Sequence, residues 1–305
     1  GGSGHGISGC LIRTLGFRGI EMKGGDRKSL QPANHFIGHT IVEHFSLFKR
    51  TYEPAVYLEG CGMRVFNSRF SHSSSSAMRL EGNDFIIEYN EISKVVDESD
   101  DQGALDMWYN PSYRGVVLRY NRFSDITGGT HSGAAGVRLD DMISGVLVFG
   151  NIFERCGSRM FGGVQIHGGK DNIVENNLFY KCHAAVTFHS WGEERWLKEL
   201  DTLAVQKKIF EEVDIRSPLY LNKYPELKSI RENADLNTIK NNLIIDCKSQ
   251  FLRNKAGVQR LINNTALESE GKTLEECCSP EFLSKFQLKP IPWQQIGPRD
   301  NKGAN

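Results

Sequence analysis

Long apolar runs are missing from this 305-residue sequence. No stretch approaches the roughly 20 residues that cross a bilayer, so insertion into a membrane is not expected. Net charge is missing too. With 37 basic and 37 acidic side chains, no overall field points to nucleic acid or another polyanion, and any charge preference must be local. A charged-then-apolar leader is also absent from the start. "GGSGHG" runs directly into patterned sequence, which suggests a mature or trimmed chain, and the expected location is secreted, periplasmic or cell-surface. Proline is scarce at nine, and cysteine is odd at seven. An odd count argues against a disulfide framework, and a chain of this length can bury a core without staples.

What is present is a repeat. Asparagine recurs two residues before an apolar side chain at Asn90, Asn121, Asn151, Asn177, Asn242 and Asn264. An aliphatic residue lies three places before each: Ile87, Leu118, Val148, Val174, Ile239 and Leu261. Two places after come Ile92, Phe123, Phe153, Phe179, Ile244 and Ala266. The shortest interval is 22 residues, reached again if Ser68 is taken as a degenerate copy of Asn90. Such units lack a 3.6-residue apolar period and are too rich in β-branched and aromatic residues for helical or leucine-rich repeats. They suit rungs of an all-β, right-handed parallel β-helix, each burying its apolar face on its neighbours. The expected organisation is a solenoid over residues 1–270, interrupted by a partly helical insertion at 193–234, with an irregular tail at 271–305 packed along the solenoid or closing its end. Cys156, Cys182 and Cys247 each follow the repeat asparagine by five residues and are expected as stacked free thiols in the core. Stacked amides bonded between rungs account for the asparagines.

A second column aligns "AVYLEG", "AMRLEG", "ALDMWY", "GVRLDD", "GVQIHG" and "AVTFHS", starting at residues 55, 77, 104, 136, 163 and 185. Their second and fourth positions are apolar and point inward, so the third and fifth point out. The outward columns read Tyr57, Arg79, Asp106, Arg138, Gln165, Thr187 and Glu59, Glu81, Trp108, Asp140, His167, His189. With rungs about 4.8 Å apart, these form one polar and aromatic groove. Asp140 and Asp141, adjacent like charges that resist burial, are expected at a solvated strand end inside it. Trp108 exposes an indole that suits a sugar ring.

The period lengthens at "VVDESDDQG" (95–103) and "TGGTHSGAAG" (127–136), just before the strands carrying Asp106 and Asp140. Both loops enter the groove from the same edge, where functional residues commonly sit. Between Asn177 and Asn242, "EERWLKELDTLAVQKKIFEEV" places Leu197, Leu200, Leu203, Ala204 and Phe210 near helical spacing, directly after His189 and Trp191. This segment is read either as a cap on a core defect or as a wall facing substrate.

"DDQGALDMW", "GVRLDDMISGVLVFGN" and "IHGGKDNIVENNLFYKC" together resemble right-handed parallel β-helix carbohydrate-active enzymes similar to glycoside hydrolase family 141, over most of residues 1–190 and again around 235–265. That resemblance implies a glycoside hydrolase, of the α-L-fucosidase or xylan-active kind, with two catalytic aspartates. One is Asp100 or Asp101, with Asp101 favoured as the first residue of the "DxG" triplet. The other is Asp140 or Asp141. Asp106, Trp108, Arg138, His167, His189 and Glu81 are expected to shape the sugar site, Arg138 by keeping a neighbouring carboxylate ionised.

The chemistry is consistent with this. Glycoside hydrolysis needs one carboxylic acid and one carboxylate, and a coupled pair supplies both forms. Two rivals stay open. A polysaccharide lyase acting on uronates would need a cation to neutralise the substrate's carboxylate, and a non-catalytic glycan-binding solenoid would keep the groove without the acid pair. The partner expected in every case is a carbohydrate. No cofactor is expected, the alternative being Ca²⁺ on the oxygens of "DESDD" at 97–101, which lacks a ligand-loop motif.

Overall fold

Three short apolar segments per repeat become three strands, and successive repeats stack them into three sheets. The computed structural model describes residues 2–254 and 258–299; Gly1, residues 255–257 and the last six residues of the expected tail lie outside the described residues. Two sheets have nine strands and the third has eight, and every pairing between named strands is parallel. The first sheet stacks Ile87 on Leu118, Val148, Val174, Ile239 and Leu261. The second stacks Ile92 on Phe123, Phe153, Phe179, Ile244 and Ala266. Both are the columns expected from the repeat. The Phe123, Phe153 and Phe179 rings stack at 4.9 Å centroid spacing, near the rung spacing itself. Three more rungs precede that of Ile87 and Ile92, through Gly6–Ser8 with Leu11–Arg13, Phe36–Gly38 with Ile41–Glu43 and Arg64–Phe66 with Arg69–Ser73.

The corner between these sheets is where the asparagines sit. Each side-chain amide donates to the next rung's amide oxygen, from Asn90 to Asn121, Asn151, Asn177, Asn242 and Asn264, at 2.8–3.1 Å. The same oxygens accept backbone N–H groups, Ser68 N included. Buried backbone at a tight corner needs such partners, and the amide is a donor and an acceptor at once. A second ladder through Asn172 and Asn237 follows the same logic on another corner. Cys156, Cys182 and Cys247 are free thiols packed with the core, Cys247 only partly buried at its far end.

The third sheet carries the groove. It runs through Ile20–Gly24, Val56–Cys61, Met78–Asn83, Gln102–Trp108, Ala134–Asp140, Val164–His167, Ala184–His189 and Ser249–Leu252. Its register pairs Arg79 with Asp106, Asp106 with Arg138, Trp108 with Asp140 and His167 with His189.

After His189 the chain leaves as helices Gly192–Leu200, Leu203–Gln206 and Pro218–Lys223 with short irregular turns between. Trp196, Leu200, Val205 and Ile209 form its buried face, with Met142 and Trp191. Leu203 is exposed, because it is the first helical residue after the Thr202 cap and precedes the turn that packs. The segment beyond 270 forms two short helices, Leu274–Cys277 and Pro280–Ser284, and buries Leu274, Cys277, Cys278 and Leu283 against Ile152, Leu178 and Leu243 on the outer face of the second sheet. It lies along the solenoid.

Candidate active site

The groove deepens into a cleft of about 650 Å³ across the middle rungs. Arg138 is its hinge. Its guanidinium meets three carboxylates: Nη2 bonds Asp101 Oδ1 at 2.9 Å and Asp140 Oδ2 at 2.8 Å, while Nη1 lies 3.6 Å from Asp106 Oδ2. The nearest oxygens of Asp101 and Asp140 therefore cannot be farther apart than two hydrogen bonds laid end to end. Burial lowers the affinity of a guanidinium for its proton, yet the three aspartates outweigh it and Arg138 stays charged.

The loops at the entry edge explain how Asp101 arrives there. Asp101 takes a left-handed backbone, φ 59°, and its N–H bonds Gly133 O at 2.9 Å. Asp100 turns the other way and accepts N–H bonds from His131, Ser132 and Gly133 at 3.2, 2.8 and 2.6 Å. It ties the two long loops together, which removes it from the catalytic candidates. Gly103 closes the "DxG" triplet for a steric reason. A Cβ there would lie 2.7 Å from both the backbone N and the Cβ of Arg138, so only glycine lets the two strands meet at this point. Its N–H bonds Asp106 Oδ2 at 3.0 Å. Gln102, between them, is fully buried and anchors Ser75, Ser76 and Thr51.

Partial burial raises the pKa of Asp101, and the charge of Asp140 adds to this while Arg138 opposes it. Asp100 moves the opposite way, because its three N–H bonds outweigh a desolvation cost. A depressed folded-state pKa means stability that is present above the ordinary carboxylate pKa and lost as pH falls through the folded value. Asp100→Ala should therefore cost about 1 kcal/mol at neutral pH, given the exposure of the site, and should flatten the acid limb of stability against pH. Denaturant titrations between neutral and strongly acidic pH check this; equal losses at both ends would show the carboxylate to be irrelevant.

At the exit edge, Asp140 Oδ1 meets His167 Nδ1 at 2.8 Å, and the His189 ring lies against His167 at 4.3 Å between centroids, tilted by 40°. Asp141 stands in a left-handed turn, φ 35°, and accepts the Trp108 indole N–H on Oδ2 at 3.0 Å. Trp108 leaves 47% of its surface exposed. The indole lies beside Tyr109 at 5.3 Å and within 6 Å of the Arg79 and Lys208 cations. Towards the N-terminal rungs, Glu81 accepts from Tyr57 Oη at 2.9 Å and from Arg79 at 3.0 Å.

Among known proteins, a family model described as "Right handed beta helix region" matches residues 54–198. The chain is a right-handed parallel β-helix. A solved structure of similar course, a PL6 alginate lyase in complex with a trisaccharide, has 11% sequence identity and a TM-score of 0.42 over 82% of this chain. The chain spans about half the length of that protein, 55%. No curated protein matches it.

The β-helix brings Asp101, Asp106, Trp108, Arg138, Asp140, Asp141, His167, His189 and Glu81 to one cleft. One expectation is corrected at Asp140, which is not solvated, while Asp141 beside it keeps a partly exposed side chain. Asp140 and Asp106 are only 4% and 2% exposed, because Arg138 and Arg79 reach across the rungs and compensate them in place of water. Asp106 consequently acts on the cleft through these arginines. His167 faces Asp140 as well as the cleft. The helical insertion lies at the exit edge, where Tyr109 bonds Glu199 and Lys208 Nζ donates to Tyr109 O at 2.6 Å. None of its residues lines the cleft; it buttresses the Trp108–Tyr109 corner.

Sequence reasoning missed Tyr52, Met160, Phe161 and Arg253 in the cleft wall. Tyr52, Met160 and Phe161 lie in the chain before a strand and Arg253 just after one, where no repeat position fixes them. Tyr57, Arg79 and Gln165 also line it, and the outward alternation already held the signal that places them.

Proposed function

We propose that this β-helix is a carbohydrate-active enzyme that hydrolyses a glycosidic bond in the cleft, with Asp101 as acid and Asp140 as its carboxylate partner. The observation that carries this is the single guanidinium nitrogen of Arg138 shared by the two aspartates. It holds the nearest oxygens of the two carboxyl groups close together, short of the wider gap of inverting enzymes and compatible with the about 5–5.5 Å of retaining ones. The two environments differ as the two roles require. Asp101 has a half-exposed side chain and a raised pKa, as suits a proton donor to the leaving oxygen. Asp140 is buried and bonded on both oxygens, as suits a fixed carboxylate that attacks or activates water. Trp108 offers a stacking face, and the Asp141 bond fixes its indole.

The cleft's charge favours a neutral glycan. Five carboxylates line it against four arginines, and Arg18, Arg79 and Arg138 already hold carboxylate partners. A uronate polymer would meet repulsion unless a further cation joined it.

A second reading has its own observation. With Nδ1 of His167 directed at Asp140 and Nε2 buried without a hydrogen-bond partner, this dyad has the geometry of an oriented general base. Such a base suits β-elimination from a uronate. One assay separates the readings: a panel of aryl glycosides, neutral plant polysaccharides and uronate polymers, followed for reducing ends and for ultraviolet absorbance. Hydrolysis gives reducing ends without absorbance. Absorbance rising with cleavage means elimination, and retention of a glycan without either signal means a binding solenoid.

A further inference from the structure

We infer that Asp140, Asp141 and His167 form a binding site for one divalent transition-metal ion at the exit edge of the cleft. Their donor atoms converge: His167 Nδ1 lies 2.8 Å from Asp140 Oδ1 and 3.3 Å from Asp141 Oδ1, and all three ligand atoms fall within 4.8 Å of one another. Ligands about 2.1 Å from a metal and about 90–109° apart sit about 3.0–3.4 Å from each other, so these separations are close to the edges of a coordination polyhedron. A bare hydrogen-bonded cluster explains them less well. The Nδ1 proton can serve Asp140, but Asp141 Oδ1 is then left buried without a hydrogen-bond partner.

The outer contacts are those that metal carboxylates require. Each aspartate turns one oxygen to the histidine and has the other fixed by a donor: Asp140 Oδ2 by Arg138 at 2.8 Å and Asp141 Oδ2 by the Trp108 indole at 3.0 Å. The left-handed backbone at Asp141, φ 35°, followed by Met142 at φ 66°, turns the second carboxylate back toward the first. His189 packs against the His167 ring at 4.3 Å with a 40° tilt and Trp191 meets it edge-on at 5.9 Å, which fixes its orientation.

The donor set selects the ion class. Two carboxylates and one imidazole suit Mn²⁺, Fe²⁺ or Zn²⁺, whereas Ca²⁺ and Mg²⁺ prefer oxygen alone. Three protein ligands facing a cleft leave positions open for water or a sugar oxygen, the pattern of reactive rather than structural sites. Such an ion would engage Asp140 Oδ1 and His167 Nδ1, so with it bound neither group acts as the attacking carboxylate or the general base proposed above; the ion would instead supply the positive charge that an acidic glycan needs.

The test uses the chelator-stripped protein, titrated separately with Mn²⁺, Zn²⁺ and Ca²⁺ by calorimetry, with Mn²⁺ also followed by electron paramagnetic resonance. One saturating equivalent of Mn²⁺ or Zn²⁺ is expected. Asp141→Asn and His167→Ala should each weaken it by more than the about 10–100-fold typical of outer-contact changes, with circular dichroism confirming the fold. Asp101→Asn, which removes the proposed acid but no ligand, should bind as the parent does; loss of its activity with retained binding separates the two claims. Absence of saturable transition-metal binding, saturation by Ca²⁺ alone, or undiminished affinity in Asp141→Asn and His167→Ala would each overturn the inference.

Discussion

Asp101→Asn is expected to lower turnover on any glycan the parent cleaves by about 10²–10⁴-fold, the range that positioned acid–base assistance supplies. The substitution keeps the size of the side chain and an oxygen for Arg138, and removes the negative charge together with the transferable proton. The loop depends on backbone bonds from Asp101 N and O and on Asp100, so folding should survive. The pH profile follows from the raised pKa. As the acid, Asp101 must be protonated in the free enzyme, so kcat/KM should fall as pH rises through its folded value, placing the alkaline limb above the ordinary carboxylate range. A parent profile flat through that region, or an Asp101→Asn variant with near-parental kcat, would remove Asp101 from the chemistry.

Arg138→Met should be among the most destabilising single changes in the molecule, costing about 3–5 kcal/mol as expected when one partner of a buried charge cluster is removed. Asp106 is the reason. Its carboxyl is enclosed, burial raises its pKa, and Arg138 with Arg79 opposes that rise. Without Arg138, Asp106 and Asp140 face each other through the place it occupied, and the cheapest response is to take up a proton. The loss should therefore be largest at neutral pH and shrink on acidification, since protonated aspartates no longer need the arginine. Urea melts of parent and variant across the acidic to neutral range measure this directly. A pH-independent loss would mean that Arg138 contributes packing and not charge.

The register of the groove was legible because inward residues such as Val137 and Leu139 cannot change faces without exposing apolar surface, and that alone fixes Arg138 and Asp140 as neighbours pointing outward. Burial of the carboxylates was not legible. It depends on how far Arg79 and Arg138 reach sideways across rungs, and alternation along one strand is silent about lateral reach. The choice between Asp100 and Asp101 was open for a similar reason: both lie in one loop, and only the partner loop's N–H groups at 131–133 draw Asp100 away. Gly103 was visible as a motif letter, while its cause, the close approach of the Arg138 backbone, lies 35 residues further along the chain. The insertion's helices were visible in outline. Which side packs was not legible, because apolar spacing alone does not separate buried Leu200 from exposed Leu203, which directly follows the Thr202 cap.

The central claim is that the Asp101–Arg138–Asp140 cluster is where a glycosidic bond is broken, and a crystal structure of Asp101→Asn with an oligosaccharide cleaved by the parent tests it most directly. The account predicts a sugar ring against Trp108, with the glycosidic oxygen within hydrogen-bond reach of residue 101 and the anomeric carbon on the side of Asp140. An oligosaccharide seated away from this cleft, or lying in it with its scissile bond out of reach of both residues, would contradict it.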